Sequence, residues 1–472
     1  MIEKRFRGKA GAEKLSGGVT MMMNRFGAKR LCVNVGLCLF TASVLVLSVS
    51  AQDNPDRQHR VPAEFMSYLG ADWLERVERA DEEQPERVLD SMALNKGDVV
   101  ADIGCGSGYY ARRMARRVMP QGRVLCEDIQ PEMLDIMRQR AADEGLSGIE
   151  AVLGTPTDPR LALGIVDWII IADVYHEMSQ PEAMLARIRS ALSPTGRVAL
   201  LEYRVEDGTG DQIKADHVMS VRQVLQEWRA AGFALVGFHE FLPSQHLFFF
   251  GDVDRADNRN VLYDYDLFDA MEAELVEVEA RGAGDDLVRL RIRRRGNDPL
   301  LVTSPVATYF QAPEGRRDMI ARRDGWVLLD DDDWHDWTLR AVGRQRSLDA
   351  SEASDALVVH PPSMAPNIEA VLRAVQVGTY TVSNSPVLYP PRTHVVDQAA
   401  VWIADTDATY VELESEIAGP RVPASYAAAF ALVFVDQAGI DVTTRPIWND
   451  HDRIFSTLRD QGLTLWHQLK MQ

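Results

Sequence analysis

The segment Asp102-Ile103-Gly104-Cys105-Gly106-Ser107-Gly108 ends an apolar run with a carboxylate and follows it with three alternating glycines. Glycines at such a turn admit positive φ and let a ligand approach the backbone where a Cβ would otherwise stand. A dinucleotide fingerprint, G-x-G-x-x-G, would place its third glycine at position 109, which is Tyr109. The spacing is instead D-x-G-x-G-x-G. Asp102 sets negative charge where a pyrophosphate would be repelled and where a cationic amino group would be held by charge-assisted hydrogen bonds. A second apolar run, 123–128, also closes in acid, at Glu127 and Asp128. An acid roughly 20 residues beyond such a loop accepts hydrogen bonds from ribose hydroxyls, and Asp128, at the strand tip, is expected to do so rather than Glu127. A third group, Asp173-Val174-Tyr175-His176-Glu177, follows the apolar run 166–172. At the carboxyl edge of a parallel sheet, His176 could take a proton from an acceptor with Glu177 orienting it; a positioning or packing role is its alternative.

The elements needed to position these groups follow in order. Residues 109–118 read as a helix with Ala111, Met114 and Ala115 between arginines, closed by Pro120-Gln121-Gly122. A helix at 131–144 opens on a proline and carries Met133, Leu134 and Met137 on one face. Strands are predicted at 149–153 and 166–172, the latter a continuous apolar run suited to a strand buried on both faces. A helix at 181–192, a turn at Ser193-Pro194-Thr195-Gly196, a strand at 197–203, a helix at 220–231 and apolar segments at 234–241 and 246–250 complete the pattern.

With that order and spacing, residues 60–251 resemble the class I methyltransferases that use S-adenosylmethionine, the glycine stretch standing as their motif I. The resemblance implies an α/β fold: a Rossmann-like seven-stranded sheet with helices on both faces, closed by an antiparallel pair. It also implies cofactor contacts. Asp102 would hold the methionine amino end, Gly104, Gly106 and Gly108 would pass under the sugar, Asp128 would grip the ribose and Ile129 would flank the adenine. Thr155 occupies the place of the base contact, and Asp173 would order the methionine end from the fourth strand. Tyr203, His217 and His246 are expected near the same edge, lining the acceptor pocket or packing. The segment 65–86 resembles, more loosely, the N-terminal helices that cap the cofactor in such domains. Methyl transfer from a sulfonium is an in-line displacement on an activated carbon, so alignment carries much of it and a base is optional.

The rest of the chain bounds this reading. A basic stretch, 24–30, precedes the uncharged apolar run 31–49 and the small residues Val49-Ser50-Ala51, the layout of a secretory signal peptide over residues 1–51; a retained membrane anchor is the alternative. An exported, periplasmic or envelope location is therefore expected. Beyond residue 51 stand 43 basic against 68 acidic residues, a surface that repels nucleic acid and points to a small-molecule acceptor. Cys105 and Cys126 are the cysteines left there, on neighbouring elements, and are expected as buried free thiols, although an oxidising compartment would permit pairing. A leader and a cytoplasmic cofactor point to different compartments, which keeps open a non-catalytic envelope protein retaining the fold.

Residues 252–264 read as a linker, 265–350 as a β-rich domain and 365–472 as a helical region whose partner the sequence does not name. Val276–Glu279 and Val288–Arg293 alternate with opposite charge, predicting a hairpin with facing acidic and basic rows. Strand-like pieces at 300–310, 319–329 and 338–344 suggest a small antiparallel sandwich or barrel. Helical spacing recurs at 368–375, 395–404, 426–435 and 454–469, with Pro386, Pro390 and Pro391 marking a long loop. The acidic run 330–333 lacks the spacing of a calcium loop and reads as a solvated turn, and no metal is assigned to any residue.

Overall fold

The computed structural model describes residues 62–255, 261–378, 380–381, 387–388, 393–417, 422–456, 458 and 461–471. The expected leader, the centre of the expected linker and Pro386, Pro390 and Pro391 lie outside these residues. No helix among the described residues is long and apolar enough to cross a membrane.

Two short helices, α1 (Arg79–Glu83) and α2 (Pro85–Met92), precede an alternation of β1 (Val99–Ile103), α3 (Tyr109–Val118), β2 (Arg123–Asp128), α4 (Pro131–Asp143), β3 (Ile149–Leu153), β4 (Val166–Ala172), α5 (Pro181–Ala191) and β5 (Leu192–Tyr203). Then come α6 (Val221–Ala230), β6 (Phe233–His239) and β7 (Gln245–Asp252). The sheet order is β3-β2-β1-β4-β5-β7-β6, parallel except for β7, which runs antiparallel to β5 and β6. This is the seven-stranded, doubly covered sheet expected. Alternate residues of the central strands feed two cores. Ile103, Ile169, Ile171 and Leu200 pack with α5 and α6, while Val100, Val124, Ile170 and Leu201 pack with α2, α3 and α4. The strand order reverses between β1 and β4, so the ligand crevice belongs at their carboxyl ends.

One local difference has a register cause. The expected turn at 193–196 is absorbed into β5, which begins at Leu192. Leu192 pairs with Val166 and Arg197 with Trp168, so residues 193–196 bulge from the ladder.

The second half supplies β8 (Tyr263–Asp266), α7 (Leu267–Glu272), β9 (Val276–Gly282), β10 (Leu287–Arg294), β11 (Leu300–Ser304), β12 (Tyr309–Gln311), β13 (Met319–Ala321), β14 (Gly325–Leu329), β15 (His335–Gly343) and β16 (Ala356–His360). β9 and β10 form the predicted hairpin, with Arg293 opposite Glu277 at 2.7 Å. Six strands close a barrel in the order β10-β15-β13-β12-β16-β9, and β14-β11-β8 form a separate small sheet. Two expected strands each divide: 300–310 into β11 and β12, and 319–329 into β13 and β14. The barrel closes through β16, past the expected end of the β-rich region at 350. Helices α8 (Pro366–Val377), α9 (His394–Asp405), α10 (Tyr410–Glu416), α11 (Ala424–Gln437), α12 (His451–Phe455) and α13 (Gln461–Lys470) follow. The single helix expected at 454–469 is thus two.

The described residues form one compact unit. Leu301 of β11 is fully buried in the same core as α5, α6 and β7, with Trp326 and Leu328 of β14 packed against it. On the other side, α8, α9 and α11 share a core with Tyr309, Ile320 and Val342 of the barrel.

Candidate active site

The glycine loop leaves β1 with Gly104, Gly106 and Gly108 at φ 66°, 51° and 82°, the left-handed region. A Cβ at Gly104 would lie 2.5 Å from Val174 Cγ1, and one at Gly108 2.5 Å from Met137 Cγ, so packing demands glycine as firmly as φ does. Cys105 and Cys126 are joined in a disulfide, which corrects the expectation of free thiols. The parallel register places Cys126 beside Asp102, three residues before Cys105, and the loop curls back so that the two Cα atoms stand 5.5 Å apart. Cys105 also donates its N–H to the Glu127 carbonyl at 2.8 Å. The loop is therefore tied to β2 by covalent and backbone bonds.

Each predicted cofactor residue lies at this edge, and the acids are engaged by backbone. Asp102 is buried and accepts the Ala111 N–H at 2.9 Å, capping the first turn of α3. Burial pushes its carboxyl up to about 7 against the pull of Ala111 and Arg79. Asp128 accepts from Gly106 N–H at 2.9 Å and from Gln130 N–H at 2.8 Å, so the ribose candidate also clasps the glycine loop. Burial raises it, while those backbone donors oppose the shift. Ile129, beside it, is 37% exposed, an open apolar wall. Thr155 Oγ1 accepts from Asp158 N–H at 3.0 Å and so closes its own turn. Asp173 sits at φ 55° and takes both hydrogen bonds of the Gln245 amide at 2.8 Å. Burial, then the neighbouring carboxylates of Glu83 and Glu202, raise Asp173 well above the usual range.

Three further residues shape this site: Glu127, which the sequence placed second to Asp128, and Glu75 and Arg79, which it did not mark. Glu127 is buried against the glycine loop with Oε1 unpartnered, and burial pushes it up to about 8. Glu75 accepts from Ser107 Oγ and Arg112 Nη2, both at 2.6 Å, fastening the N-terminal segment over the loop. Arg79 pairs with Glu83 at 2.7 Å, lies 4.1 Å from the Tyr109 ring centroid, and is the positive charge acting on both Asp102 and Asp173. In the sequence, Arg79 and Glu83 look like an ordinary i,i+4 surface pair.

Beyond β4 the acceptor side is built on two single turns. His176 is 2% exposed and its Nδ1 is held by Glu202 Oε2 at 2.7 Å, so Glu202 of β5, and not Glu177, orients it. Its N–H also meets Glu202, at 3.2 Å. Glu177 instead accepts from the Met66 backbone, and burial, with Glu202 and Asp128 nearby, pushes it up to about 8. The His217 ring stands 4.9 Å from that of His176. Tyr203 closes the same edge, its phenol raised by the Asp173 carboxylate. His246 does not: it is fully buried, with Nδ1 at 2.8 Å from Glu240 and Nε2 at 3.1 Å from Glu206. Ala63 donates its N–H to the His176 carbonyl at 3.0 Å, so the chain before α1 crosses this edge too.

Strand order, glycine loop and the acids behind it make up the Rossmann-like, seven-stranded α/β arrangement expected from the sequence. Residues 94–235 match the family described as Methyltransferase domain. The chain is 29% identical over 116 residues to a ubiquinone/menaquinone biosynthesis C-methyltransferase of Pseudomonas putida, covering 24% of this chain and 45% of that protein. It is 32% identical over 115 residues to an uncharacterized 37.1 kDa protein in transposon TN4556 of Streptomyces fradiae, covering 24% and 33%. The match therefore spans less than half the length of these curated relatives. A SAM dependent methyltransferase from Aquifex aeolicus aligns with 39% of this chain and 98% of its own, at 23% identity and a TM-score of 0.37.

Proposed function

We propose that the chain is an S-adenosylmethionine-dependent methyltransferase acting on a small-molecule acceptor. The observation that carries this is the electrostatics of the crevice. Asp102, Glu127, Asp128, Asp173, Glu177 and Glu202 crowd one sheet edge, and burial lifts several of them out of the ordinary carboxylate range. Such an edge favours a ligand bearing positive charge and disfavours a pyrophosphate. S-adenosylmethionine brings an ammonium and, for the reaction, a methyl group on a sulfonium. Asp102 and Asp173 hold the ammonium, Arg79 faces the carboxylate of the same end, Asp128 takes the ribose hydroxyls and Ile129 flanks the base. On the acceptor side, Glu202 fixes the orientation of the His176 ring, which serves as a positioning group, since transfer of a methyl from a sulfonium rests on alignment and a base is optional.

The test is calorimetric titration of the purified chain with S-adenosylmethionine, beside Asp128→Ala. One-site binding is expected, weakened roughly 10- to 150-fold by the substitution, the value of hydrogen bonds to a charged group. Absence of heat from the unsubstituted chain would overturn the cofactor assignment. The leader-like N-terminus supports export, and the Cys105–Cys126 bond is of the kind that persists in oxidising compartments. A reporter fused after residue 472 should be active only if it reads an extracytoplasmic location.

A further inference from the structure

His176, Glu177 and His217 each offer one ligand atom, and the three atoms lie within 4.8 Å of one another. What separates this group from a chance meeting of polar side chains is the way the imidazoles are held. His176 Nδ1 is bonded to the Glu202 carboxylate at 2.7 Å, and His217 Nδ1 to the Asp216 carboxylate at 2.7 Å. Each carboxylate accepts the Nδ1–H hydrogen bond, which fixes the tautomer and leaves the Nε2 lone pair free to accept. His176 Nε2 is buried and has no hydrogen-bond partner. An orphaned buried nitrogen is costly in a folded protein. Two carboxylate–histidine pairs aimed at one point, with a third carboxylate beside them, is the arrangement by which proteins present imidazole to a metal.

We propose that His176 Nε2, His217 Nε2 and the Glu177 carboxylate form a binding site for one divalent first-row transition ion, on the acceptor side of the crevice. Two imidazoles and one carboxylate suit zinc, cobalt, iron or manganese better than magnesium or calcium, which prefer oxygen-only shells. Three protein ligands leave coordination positions open, the pattern of a site that also receives a small molecule. The ligands come from two loops, Tyr175–Glu177 after β4 and Ala215–His217 before α6, so the ion would pin together the two walls of the acceptor entrance. Two other groups of this kind among the described residues are more exposed: Asp330, Asp331 and His335, and His451, Asp452 and His467. In the latter, His451 Nδ1 is bonded to the Trp448 carbonyl and Asp452 is 92% exposed.

The experiment is titration of the metal-stripped, full chain with cobalt(II) and with zinc(II), read by visible d–d absorption and by elemental stoichiometry after dialysis. One ion per chain is expected, lost in His217→Ala and in His176→Ala, and weakened 10- to 100-fold in Glu202→Gln, which leaves all three ligands present. His217 is partly exposed, so its variant keeps the test sound if His176→Ala does not fold by circular dichroism. No stoichiometric ion, or one that His451→Ala removes and His217→Ala does not, overturns the site. Asp128→Ala should leave cobalt binding unchanged while weakening S-adenosylmethionine, so failure of the metal claim and failure of the cofactor claim are read separately.

Discussion

Buried acids at the crevice make the residue scale strongly dependent on pH. Asp102 at about 7, and Glu127 and Glu177 at about 8, lie above their unfolded values, so the native state binds more protons than the unfolded chain between pH 4 and 8. Stability from these groups is present at low pH and is lost as pH rises through that window. His246 adds to the slope from the other side. Burial alone would lower it, but Glu240 and Glu206 raise it to about 9, so its contribution is complete below about 6.5 and disappears as pH passes 9. Thermal melts of the ligand-free chain should therefore fall from pH 5 to 9, and Glu127→Gln should flatten the lower part of the slope; a profile rising over that range would refute this account. Sequence reading found the residues that end strands, Asp102, Asp128 and Asp173, because spacing from a glycine loop locates them. It missed Arg79, Glu75 and the Glu202–His176 pairing, because each depends on chain segments brought together from 26 or more positions away or on a helix too short to show a period.

At the scale of elements, the disulfide ties the glycine loop to its neighbouring strand. Closing a loop of about 20 residues stabilises by about 3 kcal/mol in the chain-entropy account. Cys105→Ser should lower stability by roughly that amount and also weaken S-adenosylmethionine binding, measured by denaturant unfolding and calorimetry; unchanged affinity would show that backbone bonds alone hold the loop. The periodic elements α3, β2, β3 and β4 coincide with their predicted bounds because each has a clean apolar pattern and a sharp end signal. The expected strands at 300–310 and 319–329 failed to divide on paper because Pro305-Val306-Ala307-Thr308 and Arg322-Arg323-Asp324 interrupt apolar runs without a strong turn pair. Arg322 and Arg323 are buried and pair with Asp397 of α9, so charge that looks like solvent exposure is in fact interior.

For the whole molecule, the second half is not an appended module hanging from a linker, because its side chains complete structures of the first. Asp324 is the hub: it accepts from Ser220 Oγ at 2.6 Å, from Val306 N–H at 2.7 Å and from Gln376 Nε2 at 2.9 Å. Asp324→Ala would leave three donors unsatisfied in the interior and should cost about 3 kcal/mol or more, lowering a single cooperative melt rather than splitting it. Leu301→Ala should cost about 2–5 kcal/mol through the cavity it opens under α6. Two separate transitions in either variant would contradict this coupling. Ser220 also caps α6, three residues after His217, and Arg340 of the barrel bonds Asp211 on the preceding loop at 3.0 Å. For anyone redesigning this protein, the barrel is then a tuning handle: substitutions at Arg340, which reaches the loop before α6, should alter which acceptors the proposed enzyme uses while S-adenosylmethionine binding measured by calorimetry stays as it was.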